Sequence, residues 1–218
     1  MIDPLDLTEK VERYVCKDHL RKYYRFRKTR FYGGCATADC LGCNLRCIHC
    51  WAQKKVWNPK LFGEFYQPKK VCQKLLQFNQ SSIRISGGEP TLCKSHLFKV
   101  IELIPKEILF ILETNGILLD EFYVEQLSKY KNLYVRVSLK GVNEDSFQKI
   151  TGAKGEFFQK QLKALRLLEK YNINLRAAII PDLFEKKDIS KLKIPNLEFE
   201  SLIEYPFVKK ALKDEKII

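Results

Sequence analysis

The chain has 218 residues, of which 45% are hydrophobic and 30% are charged. This balance excludes a disordered chain, and no apolar run reaches the roughly 20 residues that a membrane-spanning helix needs. The formal net charge of +13 bears on partners rather than on the fold, because it suits RNA, an acidic protein or a lysine-rich solvated surface equally well.

Residues 1–30 are predicted to form a basic, helical N-terminal extension, because apolar residues recur there at roughly helical spacing. The stretch from Arg21 to Arg30 holds six basic residues and no acidic one. It is either a solvated arm whose aromatic side chains pack on the core or a face that contacts a polyanion such as RNA. The N-terminus lacks the basic and apolar regions of a signal peptide, so we expect a cytoplasmic protein without membrane contact.

Residues 31–218 are predicted to form a single α/β core domain. Short apolar runs predict six strands, at residues 31–38, 82–86, 108–113, 133–139, 173–180 and 197–203. Amphipathic stretches predict helices at residues 71–78, 96–103, 121–130 and 157–171. Strands that alternate with helices favour a parallel sheet, and the chain is short for a closed eight-stranded barrel. The expected fold is therefore an open, partial (β/α)6 barrel with parallel strands.

The residues that stand out chemically follow the predicted strands directly. Gly87–Pro90 follows the second strand, Thr114–Gly116 the third, and Lys140 the fourth. Ligands of parallel α/β folds bind at the carboxyl ends of the strands. We therefore expect these residues to share one binding site.

Five of the eight cysteines fall between residues 35 and 50. Three of them, Cys43, Cys47 and Cys50, have C-x3-C-x2-C spacing in the loop after the first strand. Three thiolates on a four-iron cluster leave one iron open to a further ligand. One alternative for the three cysteines is a structural zinc site with His49 or Cys40 as the fourth ligand. The corresponding alternative for the whole chain is a non-catalytic iron–sulfur or zinc binding module.

The cysteine spacing, the Gly-Gly-Glu-Pro turn and the later Glu-Thr-Asn-Gly segment together resemble the radical S-adenosylmethionine (SAM) superfamily, over roughly residues 31–203. The short core is similar to the smaller members, such as glycyl-radical-enzyme activases. The resemblance implies an enzyme that reductively cleaves SAM at a 4Fe–4S cluster and uses the 5′-deoxyadenosyl radical to take hydrogen from a substrate. It also implies an external one-electron reductant such as ferredoxin or flavodoxin.

The resemblance assigns the cluster to Cys43, Cys47 and Cys50, and SAM to ten further residues. His49 and Ile179 would lie beside the adenine, and the methionine amino group would be bound by Ser86, Gly87, Gly88 and Glu89. Thr114 and Asn115 would lie near the ribose hydroxyls or the methionine carboxylate. Ser138 and Lys140 follow the fourth strand, and Ser138 stands where many members have an acidic residue that contacts the ribose.

The other five cysteines are expected to be small packed residues rather than ligands. They are Cys16, Cys35, Cys40, Cys72 and Cys93. Two macromolecular substrates stay open at this point. An open barrel with little cover suits a protein substrate, as in an activase, whereas the basic stretch from Arg21 to Arg30 suits RNA.

Overall fold

The computed structural model describes residues 1–217, so residue 218, the last of the predicted core domain, lies outside the described residues. Three short 3-10 turns, at Phe31–Gly33, Pro90–Leu92 and Pro181–Leu183, separate some of the helices and strands. The helices and strands are, in chain order, α1 (Pro4–Val15), β1 (Cys16–Lys17), β2 (Leu20–Thr29), β3 (Cys35–Cys40), α2 (Gln53–Val56), β4 (Glu64–Tyr66), α3 (Pro68–Leu76), β5 (Ser82–Gly87), α4 (Lys94–Leu103), β6 (Leu109–Thr114), α5 (Glu121–Leu127), β7 (Leu133–Ser138), α6 (Glu144–Thr151), α7 (Phe157–Lys170), β8 (Asn174–Ile179), α8 (Lys186–Ser190), β9 (Glu198–Phe199) and α9 (Pro206–Asp214).

These strands form one sheet, in which six neighbours run parallel. Their spatial order is β3, β5, β6, β7, β8 and β9. Strand β2 lies antiparallel beside β3, and both β1 and β4 pair with β2. Within residues 1–217, β9 pairs only with β8, so the sheet does not close on itself. The prediction of an open partial barrel with six parallel strands is confirmed.

Each of the six predicted strands corresponds to one parallel strand, although the first and the last differ clearly from their predicted bounds. The first begins at Cys35 rather than at residue 31, because Phe31–Gly33 turns tightly with Tyr32 at a φ of 55°. The last is only two residues long. The four predicted helices correspond to α3, α4, α5 and α7.

The N-terminal extension is helical only in its first half. Helix α1 begins after Asp3, whose side chain accepts a hydrogen bond from the backbone N–H of Leu5. The prediction of a helix is wrong for the second half, which forms β1 and β2. Tertiary pairing decides this, because β2 extends along β3 and both Arg25 and Arg27 reach the buried carboxylate of Asp39 on that strand.

The two faces of the parallel sheet differ in polarity. Alternate strand side chains such as Ile83, Phe110 and Val135 form the main hydrophobic core with residues from α3, α4, α5 and α7. The side chains between them include Arg84 and Arg136, which are buried and polar. The polar face therefore lies inside the curved sheet and leads to its carboxyl end. None of the helices in residues 1–217 has the length and apolar character to span a bilayer.

Candidate functional site: a cavity at the carboxyl end of the sheet

A cavity of about 150 Å³, open to solvent on one side, lies where the parallel strands end. Twelve of the thirteen predicted site residues line it, although they come from four separate segments of the chain. These are Cys43, Cys47, His49, Cys50, Ser86, Gly87, Gly88, Glu89, Thr114, Asn115, Ser138 and Lys140.

Ile179 is the predicted site residue that the structure places elsewhere. Its side chain belongs to the hydrophobic core behind the sheet, whereas the next residue, Ile180, lines the cavity. Successive side chains of a strand point to opposite faces, so a shift of one residue changes the face. The apolar contact predicted for Ile179 is therefore corrected to Ile180.

The cysteine loop between β3 and α2 is held in place mainly by backbone hydrogen bonds. The N–H of Arg46 donates to the carbonyl of Thr151 at 3.2 Å, and the N–H of Ile48 donates to that of Ile150 at 3.0 Å. The guanidinium of Arg46 also turns back and donates to the carbonyl of Cys43 at 2.8 Å. These bonds fix the loop against the end of α6, so that its three thiols all face the cavity.

The three thiols lie close to one another, with Cys47 buried and both Cys43 and Cys50 partly buried. Burial, then the charge of Glu89 and then neighbouring thiols raise the pKa of Cys43, while burial raises the pKa of Cys47 to about 12 despite the opposing charge of Lys140. Three thiolates therefore need a bound cationic group to coexist here. The donor set fits an iron–sulfur cluster, for which thiolates are the ordinary ligands.

The structure does not favour the zinc alternative. Cys40 is buried in the hydrophobic core behind the sheet and does not line the cavity. Among residues 1–217, no three His, Cys, Asp or Glu side chains converge closely enough to hold one metal ion. A zinc ion requires its thiolates at about 2.3 Å, whereas thiols bound to different irons of a cluster lie farther apart.

The glycine turn after β5 packs directly on the cysteine loop. The N–H of Gly88 donates to the carbonyl of Cys40, and the N–H of Glu89 donates to that of Gly42, both at 2.8 Å. A Cβ atom on Gly88 would lie 2.2 Å from the Gly42 oxygen, so only glycine fits this approach.

Glu89 presents a carboxylate whose orientation is fixed on several sides. The side chain is only 2% exposed, and its Oε1 accepts hydrogen bonds from the hydroxyls of Thr91 and Thr114, both at 2.6 Å. Its Oε2 accepts the backbone N–H of Asn115 at 2.7 Å. Because a carboxylate oxygen can accept more than one hydrogen bond, Oε2 retains capacity for a cationic donor in the cavity.

His49 is a neutral ring inside the cavity. Burial first, and the charge of Lys140 second, lower its pKa to about 3. Its Nδ1 atom is buried without a hydrogen-bond partner among residues 1–217. A buried ring nitrogen without a partner is costly unless a ligand completes its hydrogen bond, which suits a polar heterocycle.

The polar face of the sheet adds a charged wall to the cavity, and its members Arg136 and Glu200 were not predicted from the sequence. Glu113, Arg136 and Glu200 line the cavity beside Trp51 and Trp57. Burial alone would raise the pKa of Glu113, but the charges of nearby arginines and its hydrogen bonds outweigh burial and lower it. For Arg136 the available signal was its position two residues before the predicted contact Ser138, because residues two apart on a strand share a face.

The five remaining cysteines divide into two groups. Cys35, Cys40 and Cys72 are buried and free, as predicted. Cys16 and Cys93 are joined by a disulfide across 77 residues of sequence, which the prediction of simple packing did not include.

Comparisons with known proteins agree with the geometry of the site. The family described as "Radical SAM superfamily" matches residues 40–188. The chain is 32% identical to the Fe-coproporphyrin III synthase of Methanosarcina barkeri over 74% of this chain and 42% of that protein. It is also 32% identical to a probable GTP 3′,8-cyclase of Methanococcus vannielii over 81% of this chain and 65% of that protein.

The solved structure of anSMEcpe with bound AdoMet and Cp18Cys peptide has the same fold, with a TM-score of 0.58. It is 24% identical, and the match covers 75% of this chain and 48% of that one. This chain therefore spans less than two thirds of the length of these proteins.

Proposed function

The chain belongs to the radical SAM superfamily, and from that membership we propose that Cys43, Cys47 and Cys50 hold its 4Fe–4S cluster in the cavity while the facing residues bind SAM. As a member, it is an enzyme that uses both groups and needs an external reductant. The cytoplasmic location, the choice of ferredoxin or flavodoxin as reductant, and the division into residues 1–30 and 31–218 stay proposals.

One observation carries the proposal. Three thiols from one loop and the carboxylate of Glu89 line the same cavity, which lies at the carboxyl ends of six parallel strands. The carboxylate of Glu89 would receive the methionine ammonium through a charge-assisted hydrogen bond. His49 would meet the adenine through its unpaired Nδ1, with Ile180 as an apolar wall.

Residues at the ends of β6 and β7 would bind the rest of the cofactor. Asn115 is held by its side-chain N–H, which donates to Asn44 Oδ1 at 2.7 Å, and by the carbonyl that accepts from Gln161. Lys140 has its ammonium in the cavity and forms no ion pair within residues 1–217, so it is free to meet the methionine carboxylate. Ser138 offers a hydroxyl to the ribose.

Cys43, Cys47 and Cys50 would hold the cluster, and the chemistry that it would supply when reduced is the one-electron cleavage of SAM that leads to removal of a hydrogen atom from the substrate. The chain contributes orientation and exclusion of water. In the cysteine loop, the carbonyls of Gly42 and Cys47 accept backbone N–H groups and that of Cys43 accepts the guanidinium of Arg46. Glu113 in the cavity wall is held by an ion pair with Arg84 at 3.0 Å.

We propose a peptide or protein as the substrate. The cavity has an open mouth rimmed by Trp51, Trp57 and Ile203, which a large substrate can cover with its own surface. The neighbour anSMEcpe was solved with a peptide bound, which supports this class of substrate. An activase role has no further support beyond the short core.

The RNA alternative has less support than the basic sequence suggested. Of the basic residues in the stretch from Arg21 to Arg30, Arg21 is buried, Lys22 donates to the carbonyl of Pro59, and Arg25 and Arg27 bind Asp39. Only Lys28 and Arg30 of this stretch are exposed, which is a small footprint for a polyanion.

The test is hydrogen transfer into 5′-deoxyadenosine. The anaerobically reconstituted, reduced chain is given SAM together with the protein, RNA or small-molecule fraction of fully deuterated cells. We expect deuterated 5′-deoxyadenosine with the protein fraction. Cys47→Ala should abolish the product, whereas Cys72→Ala, a buried cysteine outside the cavity, should retain it.

Deuterium that arrives only from the RNA or small-molecule fraction would contradict the proposed substrate class. If the wild-type chain releases no 5′-deoxyadenosine under any condition, the proposed cofactor chemistry itself is wrong.

A further inference from the structure

Arg21 is a buried cation that belongs to the N-terminal segment, outside the residues that match the family. Its side chain is fully enclosed, with 1% of the residue exposed. Its hydrogen-bond acceptors are two carbonyl oxygens and two sulfur atoms, and no carboxylate within residues 1–217 forms an ion pair with it. A buried charge without a counter-ion is costly, so its few contacts must be well made.

The two carbonyls belong to the two loops that build the cofactor site. One Nη2 atom donates to the carbonyl of Leu41 at 2.6 Å and to that of Glu89 at 3.0 Å. Leu41 lies two residues before the first cluster cysteine, Cys43, and Glu89 carries the carboxylate that faces the cavity. A single guanidinium group therefore bridges the cysteine loop and the glycine turn from behind.

The guanidinium of Arg21 adds to a contact between the cysteine loop and the glycine turn that backbone hydrogen bonds also make. Gly88 and Glu89 donate their N–H groups to the carbonyls of Cys40 and Gly42. This contact between the cysteine loop and the glycine turn is called the seam below. Helix α1 backs this seam as well, since a Cβ on Gly42 would lie 2.6 Å from a methyl carbon of Val11. Because the two loops and α1 are in close contact here, the geometry of the seam depends on the groups that join the two loops, including Arg21.

We propose that Arg21 is a positioning residue that sets the distance between the cluster thiolates and the carboxylate of Glu89. The inference rests on the proposed function of the cavity and adds to it a residue from the N-terminal segment. Arg21 acts through the backbones of Leu41 and Glu89 and touches neither the cluster nor SAM.

The first measurement uses the cluster-free chain. Amide hydrogen exchange at Gly88 and Glu89 reports the seam directly, because both N–H groups donate across it. Arg21→Met should raise exchange at these two amides about tenfold, since hydrogen bonds from a charged donor are lost. All chains also carry Cys16→Ser, so that the Cys16–Cys93 disulfide, which ties the same segments, does not mask the loss.

The control is Tyr23→Phe on the same strand. Tyr23 is equally buried, and its hydroxyl bonds to His96 rather than to either loop. This variant should lose stability without a change in exchange at Gly88 and Glu89. If Arg21→Met does not fold, Arg21→Gln decides the matter, because it keeps a donor but not the charge and should raise exchange to a smaller extent.

The second measurement uses the cluster-loaded chain. Arg21→Met should take up the wild-type amount of iron, because its three cysteines are intact, while the SAM concentration that half-saturates the change in the cluster's electron paramagnetic spectrum rises about tenfold. Wild-type exchange and wild-type SAM response in Arg21→Met or Arg21→Gln would overturn the inference. If the wild-type chain binds no cluster, the proposed function fails, but the exchange measurement still decides the role of Arg21.

Discussion

His96 shows how the chain buries an ionisable group without charging it. Its Nδ1 lies 2.7 Å from the carbonyl of His19, which can only accept, so this nitrogen carries the proton. Its Nε2 therefore accepts from the hydroxyl of Tyr23 at 3.0 Å. Burial is the main cause that lowers the pKa of His96 to about 4. The neutral ring is thus part of the native packing between β2 and α4.

This arrangement predicts a loss of stability in mild acid. Below about pH 6.5 the unfolded chain protonates His96, whereas the native chain resists protonation down to about pH 4. The free energy of unfolding should therefore fall as the pH is lowered from 6.5 to 4, by up to about 3 kcal/mol from this group. Urea unfolding at several pH values measures this loss.

His96→Gln is the matched variant for this measurement. Its amide can donate to the carbonyl of His19 and accept from Tyr23, but it does not titrate. The other titrating groups are common to both chains, so the difference between the two pH profiles isolates His96. Identical slopes between pH 6.5 and 4 would contradict a buried neutral histidine.

At the level of single residues, the motifs predicted the cavity well and the strand interiors poorly. The three cysteines and the glycine turn were predictable because they resemble motifs of the radical SAM superfamily in their spacing and order. Arg136 was not, because its role depends on which face of a strand points inward. The same dependence explains why the apolar wall is Ile180 rather than Ile179.

Among the local elements, the glycine turn after β5 determines how close two loops can come. Gly88→Ala would put a Cβ 2.2 Å from the Gly42 oxygen and 3.0 Å from the Cys40 oxygen, both of which are backbone atoms. We expect a loss of about 2 kcal/mol in unfolding free energy, together with weaker SAM binding because the seam opens. Thermal unfolding and a SAM titration of the reconstituted chain measure the two effects.

The control for this prediction is Gly33→Ala. No atom lies within 4 Å of a Cβ at Gly33, but its φ of +75° makes alanine strained by about 1 to 2 kcal/mol. It should match the stability loss of Gly88→Ala without weakening SAM binding. Wild-type SAM affinity in a folded Gly88→Ala chain would show that the close approach of the two loops does not shape the site.

The elements that the sequence predicted are those whose periodicity is set by the core. The parallel strands and helices α3, α4, α5 and α7 were found because they bury one continuous apolar surface. Strand β2 was taken for a helix because its aromatic and basic residues fit either period. Only its pairing with β3, and the two arginines that meet Asp39, decide for a strand.

On the scale of the whole molecule, the curved sheet gathers distant segments at one end. Residues from Cys43 to Glu200 meet at a single cavity although 157 positions separate them. Fold class and site location followed from the sequence, since parallel strands present their carboxyl ends together. The participation of the N-terminal segment did not, because Arg21 and the Cys16–Cys93 disulfide act through tertiary contacts.

The net charge of +13 has a different meaning in the folded molecule than in the sequence. Two of the arginines in the basic stretch neutralise Asp39, and Arg136 is paired with Glu198 at 3.0 Å and Glu200 at 3.3 Å. In these pairs Asp39 and Arg136 are buried, whereas Arg25, Glu198 and Glu200 stay partly exposed. A basic sequence segment is therefore weak support for a polyanionic partner until the partners of its side chains are known.

The central claim is that three thiolates hold a four-iron cluster with one iron left open to SAM. The most direct measurement is electron paramagnetic resonance of the anaerobically reconstituted and reduced chain, recorded with and without SAM. We predict a 4Fe–4S signal whose shape changes saturably as SAM is added and which is lost in Cys43→Ala. A chain that takes up only zinc, or a cluster signal that SAM leaves unchanged, would contradict the account.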